Sequence, residues 1–224
     1  MAPAPTPPAG LLIIWTDVTA DAEADFNAWY DRQHLAERVG VPGFLNGRRY
    51  RAIRGAPKYL AWYETKTPAV LASADYGARQ ANPTAWTQRI MPSFRNVTRV
   101  TAERLAKAGA GLGVVTATFR VRPAAGREAA LATALTTATA KAGGAPGIIA
   151  AQSWRPSAAD AAAGTTEARL RAAHEAPPAW GLLLEAASPE AATHAGEIAG
   201  DLATAAGAPV ETGLYELMLA RGAV

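Results

Sequence analysis

The feature that most constrains this 224-residue chain is an internal repeat: one order of apolar runs and turn signals occurs twice. An apolar run over 11–18 predicts a strand, and 21–39 predicts a helix with Asp21, Glu23 and Asp25 in its first turn. Strands 44–53 and 58–66 follow, joined through Arg54-Gly55-Ala56-Pro57, then a helix over 68–81, a short helical or irregular piece over 83–94, and a strand over 96–105. The second pass gives strand 112–122, helix 126–142, strands 148–155 and 180–187, helix 189–206 and strand 210–220. Both passes read β-α-β-β-α-β. Val41-Pro42-Gly43 lies over Ala145-Pro146-Gly147, 104 positions on, and Glu64-Thr65-Lys66-Thr67-Pro68 lies over Glu185-Ala186-Ala187-Ser188-Pro189, 121 positions on. The difference of 17 residues is an insertion in the second half, near 157–179, expected as a surface loop or short helix in an Ala-rich stretch.

A β-α-β-β-α-β unit makes a four-stranded antiparallel sheet with both helices on one face, the ferredoxin-like split βαβ, and leaves the other face bare. Leu11, Ile13 and Trp15 alternate with Leu12 and Ile14, so both faces of the sheet need cover. Packing the two bare faces together buries both. The expected fold class is therefore α+β, two tandem ferredoxin-like βαββαβ repeats closing an intramolecular α+β barrel. Its divisions are a disordered, Pro-rich leader at 1–9, half one at 10–106 and half two at 112–224, with 106–111 as connector.

Composition removes whole classes of function. Cys is absent and His occurs three times, at 34, 174 and 194. That excludes disulfide scaffolds, thiolate metal sites and HExxH-type pairs, so no metal site is expected. The net charge of +3 from 22 basic and 19 acidic residues implies no nucleic-acid partner. No apolar run approaches the roughly 20 residues of a membrane span, and no charged segment precedes the run at 11–15, so no membrane association and a cytoplasmic location are expected. No GxGxxG, Walker A or GxSxG pattern stands in the right context, so no nucleotide cofactor is expected.

The halves act as controls for one another. In the first helix Trp29, Tyr30, Asp31, His34 and Glu37 stand over Thr133, Ala134, Leu135, Ala138 and Lys141. Tyr30, His34 and Glu37 lie three and four residues apart on one stripe, with Phe26 at its apolar end. An imidazole beside a buried seam can act as general acid or base near neutral pH. The plain alternative is a half-buried His34 hydrogen-bonded to Glu37 or a carbonyl. In the next strand a period of two places Arg48 and Tyr50 on one face and Arg49 on the other. Whichever arginine faces inward can hold an oxyanion, and Arg48 with Tyr50 is the candidate pair. Trp62 and Glu64 share a face of the third strand, and Trp86 and Phe94 lie in the Pro-flanked piece, where aromatic walls would suit a flat apolar ligand. Core packing explains any single aromatic equally well. His174 and His194 read as solvent-exposed and carry no assigned role.

The stretch FNAWYDRQHLAERVGVPGFLNGRRYRA at 26–52 resembles the motif of the EthD-like branch of the dimeric α+β-barrel superfamily. There a helix ending in a W-Y-x-x-x-H-x-x-E type sequence leads into P-G-F and an R-x-Y strand. His34 matches the family's histidine and Pro42-Gly43-Phe44 its turn, while Ala36 stands where Pro is commoner. The resemblance implies a small-molecule pocket in a superfamily of cofactor-independent monooxygenases, muconolactone-type isomerases, polyketide cyclases and haem enzymes. The leading expectation is a cofactor-independent lyase or isomerase acting on a small aromatic or carbonyl compound, with His34 as base, Glu37 or Tyr30 orienting it, and Arg48 and Tyr50 on the anionic oxygen. Alternatives are a cofactor-free oxygenase, a haem protein, or a non-catalytic ligand-binding or assembly module, with a homodimer left open. Fold alone names no reaction.

Overall fold

The computed structural model describes residues 8–158, 164–171, 175–193 and 196–223. His174, His194 and the first seven residues of the expected leader lie outside the described residues. Ala9 is buried, and its carbonyl accepts from the Arg104 amide at 3.0 Å.

Half one comprises β1 (Gly10–Val18), helix α1 over 23–39, β2 (Phe44–Arg54), β3 (Tyr59–Thr65), α2 (Ala74–Ala81), α3 (Ala85–Ile90) and β4 (Phe94–Gly109). Half two comprises β5 (Val115–Val121), α4 (Glu128–Gly143), β6 (Ile148–Pro156), α5 (Thr166–Arg171), the two-residue β7 (Glu175–Ala176), β8 (Trp180–Ala186), α6 (Pro189–Thr193), α7 (Gly196–Ala206) and β9 (Val210–Gly222). Eight antiparallel strands close a barrel in the order β1-β3-β2-β9-β5-β8-β6-β4, with β4 returning to β1. Two strands make the seams between halves: β4 pairs with both β1 and β6, and β9 with both β2 and β5. That requires long strands, and β4 has 16 residues. Expectation ended it at residue 105; it runs on to Gly109, so most of the expected connector is strand. Alanine, lysine and glycine at its end are weak β-formers held by eight-strand closure.

The alternating side chains divide the molecule into three cores. Leu11, Ile13, Trp15, Tyr50, Trp62, Trp154 and Tyr215 fill the barrel interior. Leu12, Phe26, Trp29, Tyr30, Tyr63 and Phe94 lie between half one's sheet and its helices, and Phe119, Leu131, Leu135, Leu184 and Leu202 do the same for half two. The halves meet on the interior core, as two bare sheet faces must.

The insertion, expected as a surface loop or short helix, contains one short helix among its described residues. Helix α5 leaves half two and lies on half one: the Thr166 hydroxyl donates to the Ala81 carbonyl at 3.0 Å, Leu170 packs on half one's helix-side core, and β7 pairs in parallel with Val97 and Thr98 of β4.

Candidate active site

Helix α1 is not a regular helix. Glu23–Trp29 and Leu35–Val39 are α-helical, but the intervening Tyr30–His34 is one π turn, in which the Leu35 amide donates to the Tyr30 carbonyl five residues back. Such turns carry an extra residue within a helix and recur at functional sites. Gly47 on β2 lets the helix settle, since a Cβ there would stand 2.8 Å from both Leu35 and Tyr63. The result puts Tyr30, His34 and Arg38 on the buried side of one helix.

These three line a small cavity of about 30 Å³ with Tyr63 from β3, Tyr76 and Gln80 from α2, Phe94 and Arg99 from β4, and Glu167 from α5. The His34 ring lies 3.9 Å from the Trp29 ring, inclined by 31°, and meets the edge of Tyr30 at 5.0 Å. Arg38 forms an ion pair with Glu167, each side chain only 3% exposed. Burial works against the Arg38 charge, but Glu167 and Tyr76 outweigh it and hold its pKa above the ordinary value. Arg99 donates to the Tyr76 hydroxyl at 3.3 Å. Burial raises the phenols of Tyr30 and, most strongly, Tyr63, so both are neutral donors at physiological pH. The chemistry available is an imidazole among neutral phenols and two guanidinium groups, suited to taking a proton and holding the anion that results.

Glu37, the expected orienting group, is not among the residues lining the cavity. Three residues beyond His34, Glu37 faces α2 and pairs with Arg79 at 2.7 Å, while Arg38, four residues beyond, takes the inward position. Trp86 does not wall the cavity either: its indole donates to Asp25 at 2.9 Å and ties α3 to α1. Phe94 does line it.

The remaining candidates sit on the other face of the sheet. Arg49 points toward α1, donates to Asp31 at 2.7 Å and Asn27 at 2.6 Å, and lies 4.4 Å from the Tyr30 ring centre. Arg48 and Tyr50 therefore enter the barrel. There the Arg48 guanidinium bridges Glu64 and Glu185, one carboxylate from each half, and Tyr50 donates to Glu185 at 3.1 Å. Glu185 also accepts from the Gly113 amide at 3.0 Å and the Thr116 hydroxyl at 3.1 Å, and Gln152 donates to Glu64 at 3.3 Å. Burial raises the Glu185 pKa, and Arg48 only partly offsets it; burial also works to raise Glu64, but Arg48 and Lys107 prevail and lower it. Trp62 stands in the same interior, 5.5 Å from Trp154. Thus the sheet separates Arg48, Tyr50, Trp62 and Glu64 from His34. Sequence reasoning missed Arg38, Tyr63, Tyr76, Gln80, Arg99 and Glu167; the period of two along β3 and β4 could have paired Tyr63 and Arg99 with the helix face, whereas nothing local announces Glu167.

No family model matches the chain, and no curated protein matches it. Solved structures do. An anthrone oxidase-like protein aligns at 12% identity over 96% of this chain and 93% of that one, with a TM-score of 0.66. A Fusobacterium nucleatum protein provisionally assigned as a monooxygenase aligns at 10% identity over 97% of each chain, TM-score 0.63. A chlorite dismutase variant from Candidatus Nitrospira defluvii aligns at 9% over 93% of this chain and 91% of that one, TM-score 0.52. Among the described residues, no histidine or tyrosine that could ligate a haem iron lines a cavity of haem size. Half two offers a cavity of about 90 Å³ beneath α4 and a cleft of about 410 Å³ beside β5 and β9, and among the described residues neither is lined by an imidazole or phenol. In half one His34 faces only about 30 Å³. What these structures share with the chain is the ferredoxin-like α+β barrel, in its tandem form and over nearly full length.

Proposed function

We propose that half one is a cofactor-independent enzyme of the EthD-like kind, in which His34 takes a proton from a small aromatic or carbonyl compound. The observation that carries this reading is the burial of His34 at a π turn, facing Arg38 and Arg99 across a cavity walled by tyrosines. The imidazole accepts the proton, and the guanidinium groups and neutral phenols hold the charge left on the substrate oxygen. Return of the proton to another carbon gives an isomerase, and loss of a leaving group from the anion gives a lyase. The closed aromatic cavity supports a second outcome, a cofactor-free oxygenase, because an electron-rich anion shielded from water is the form that reacts with O₂.

The test is turnover of anthrone-type phenols and small unsaturated lactones by the wild type and His34→Gln, with an oxygen electrode in parallel. His34→Gln is expected to lower turnover by a factor of roughly 10² to 10⁴. Oxygen uptake assigns the oxygenase outcome, and turnover without it the isomerase or lyase. Turnover unchanged in His34→Gln removes His34 from the chemistry.

A further inference from the structure

The buried Arg38 is not required by the fold. Its counterpart in half two, 104 positions on, is Ala142, equally buried beneath the equivalent helix. A buried ion pair recovers little of its desolvation cost compared with an apolar pair, so Arg38 and Glu167 together add less to stability than packing would. The partner is also unusual: Glu167 belongs to the insertion that half one lacks, and α5 carries it from half two into half one's cavity. The cavity it helps enclose, about 30 Å³, holds about one water, whereas small-molecule pockets run to several hundred. A ligand therefore enters only if something leaves. Helix α5 is a short element of the cavity wall, six residues, and Glu167 is its buried charged contact.

We infer that Arg38 is an anion subsite and that Glu167 occupies it in the ligand-free protein as an internal stand-in for a substrate carboxylate or enolate. This deepens the proposed function by assigning the substrate class: a small aromatic compound bearing an anionic oxygen. Exchange at Arg38 conserves charge in the cavity. An incoming carboxylate replaces the carboxylate of Glu167, which swings outward with α5 into water. A neutral analogue can expel Glu167 only by leaving Arg38 buried without a counter-charge, and is refused.

Salicylate and its neutral amide, salicylamide, are the probes. Titration calorimetry is carried out on the wild type, Glu167→Gln and Arg38→Met, with hydrogen exchange of α5 in the wild type. Removing the competing carboxylate raises the fraction of binding-competent protein, so Glu167→Gln is expected to bind salicylate at least about tenfold more tightly, and still more tightly than salicylamide. Arg38→Met is expected to lose the preference for salicylate. In the wild type, salicylate should accelerate exchange of the α5 amides, a readout that stands even if Glu167→Gln does not fold. Equal affinity of wild type and Glu167→Gln for salicylate, equal binding of salicylamide, no salicylate binding at all, or slowed α5 exchange each overturns the inference and leaves the ion pair as a structural clip. Those outcomes are separate from the His34 test: turnover that depends on His34 with no effect of Glu167→Gln on binding sinks this inference alone, while the expected binding without any turnover sinks only the enzymatic reading.

Discussion

Replacing Arg48 by Met tests whether the barrel interior holds an unbalanced charge. The guanidinium is the cation bridging Glu64 and Glu185, whose side chains are 7% and 1% exposed. Methionine fills similar volume but leaves two buried carboxylates, and breaking a buried pair in this way costs about 3–5 kcal/mol. For a chain of this size that corresponds to a fall in Tm of about 6–20 °C. The pH dependence gives the argument its sign. In the wild type Glu64 is depressed, so its contribution is present above the unfolded pKa and lost as pH falls through the folded one. Glu185 is raised, so its contribution is fully present at low pH and is lost as pH rises through its folded value. Without Arg48 both carboxylates rise, both favour protonation in the folded state, and the deficit of the variant shrinks as pH falls from about 8 to about 5. Urea unfolding across that range measures it, and Arg48→Met combined with Glu185→Gln should recover about half the loss at the upper end. A deficit under about 1 kcal/mol, or one independent of pH, would refute the reasoning by showing that the two carboxylates are solvated despite their burial.

Other substitutions probe the packing that positions the site. Arg49→Met removes hydrogen bonds to Asp31 and Asn27 and a guanidinium stacked on Tyr30, so urea unfolding should show a loss of about 2–4 kcal/mol. Gly181→Ala would set a Cβ 2.2 Å from the Phe119 carbonyl oxygen and 2.5 Å from the Trp154 ring, and a thermal melt should show a loss of about 3 kcal/mol. Ala138→Ser, on α4 at the position matching His34, should change unfolding by less than about 1 kcal/mol and leave turnover untouched.

The fold was legible because its two signals are local and repeated. Alternation in β1 declared both faces buried, and the order of elements occurring twice supplied the matching face. The seams were harder to see, because nothing within Ala106-Lys107-Ala108-Gly109 favours a strand; β6 alongside makes it one. Part of the candidate cavity's lining was legible. His34 and Tyr30 stood out against a bland counterpart helix, and the period of two correctly put Arg48 and Arg49 on opposite faces. Joining Arg48 to His34 failed because a two-faced sheet offers two interiors, and sequence spacing does not say which is shared with the helix. The π turn was equally hidden: one extra residue in a helix leaves no mark on composition. Glu167 lay beyond reach because its partner is 129 positions away.

Two halves joined in one chain leave room for such asymmetry. Glu64 and Glu185 occupy matching positions, as do Arg48 and Gln152, and both glutamates converge on the one guanidinium. In an assembly of identical chains every residue appears twice, so two glutamates would face two arginines and balance. Here one arginine has become Gln152, and the surplus negative charge falls on Glu185, which lies deeper, while Glu64 keeps Gln152, Arg104 and Lys107 for company. The same freedom operates on the helix side. One helix carries Tyr30, His34 and Arg38 while its counterpart carries Ala134, Ala138 and Ala142, and the insertion of half two places Glu167 against Arg38 of half one. A symmetric dimer that lengthened this loop would cap both cavities or neither. A single chain can place a residue of one half against the other half once only, and the ion pair of Glu167 with Arg38 is such a contact.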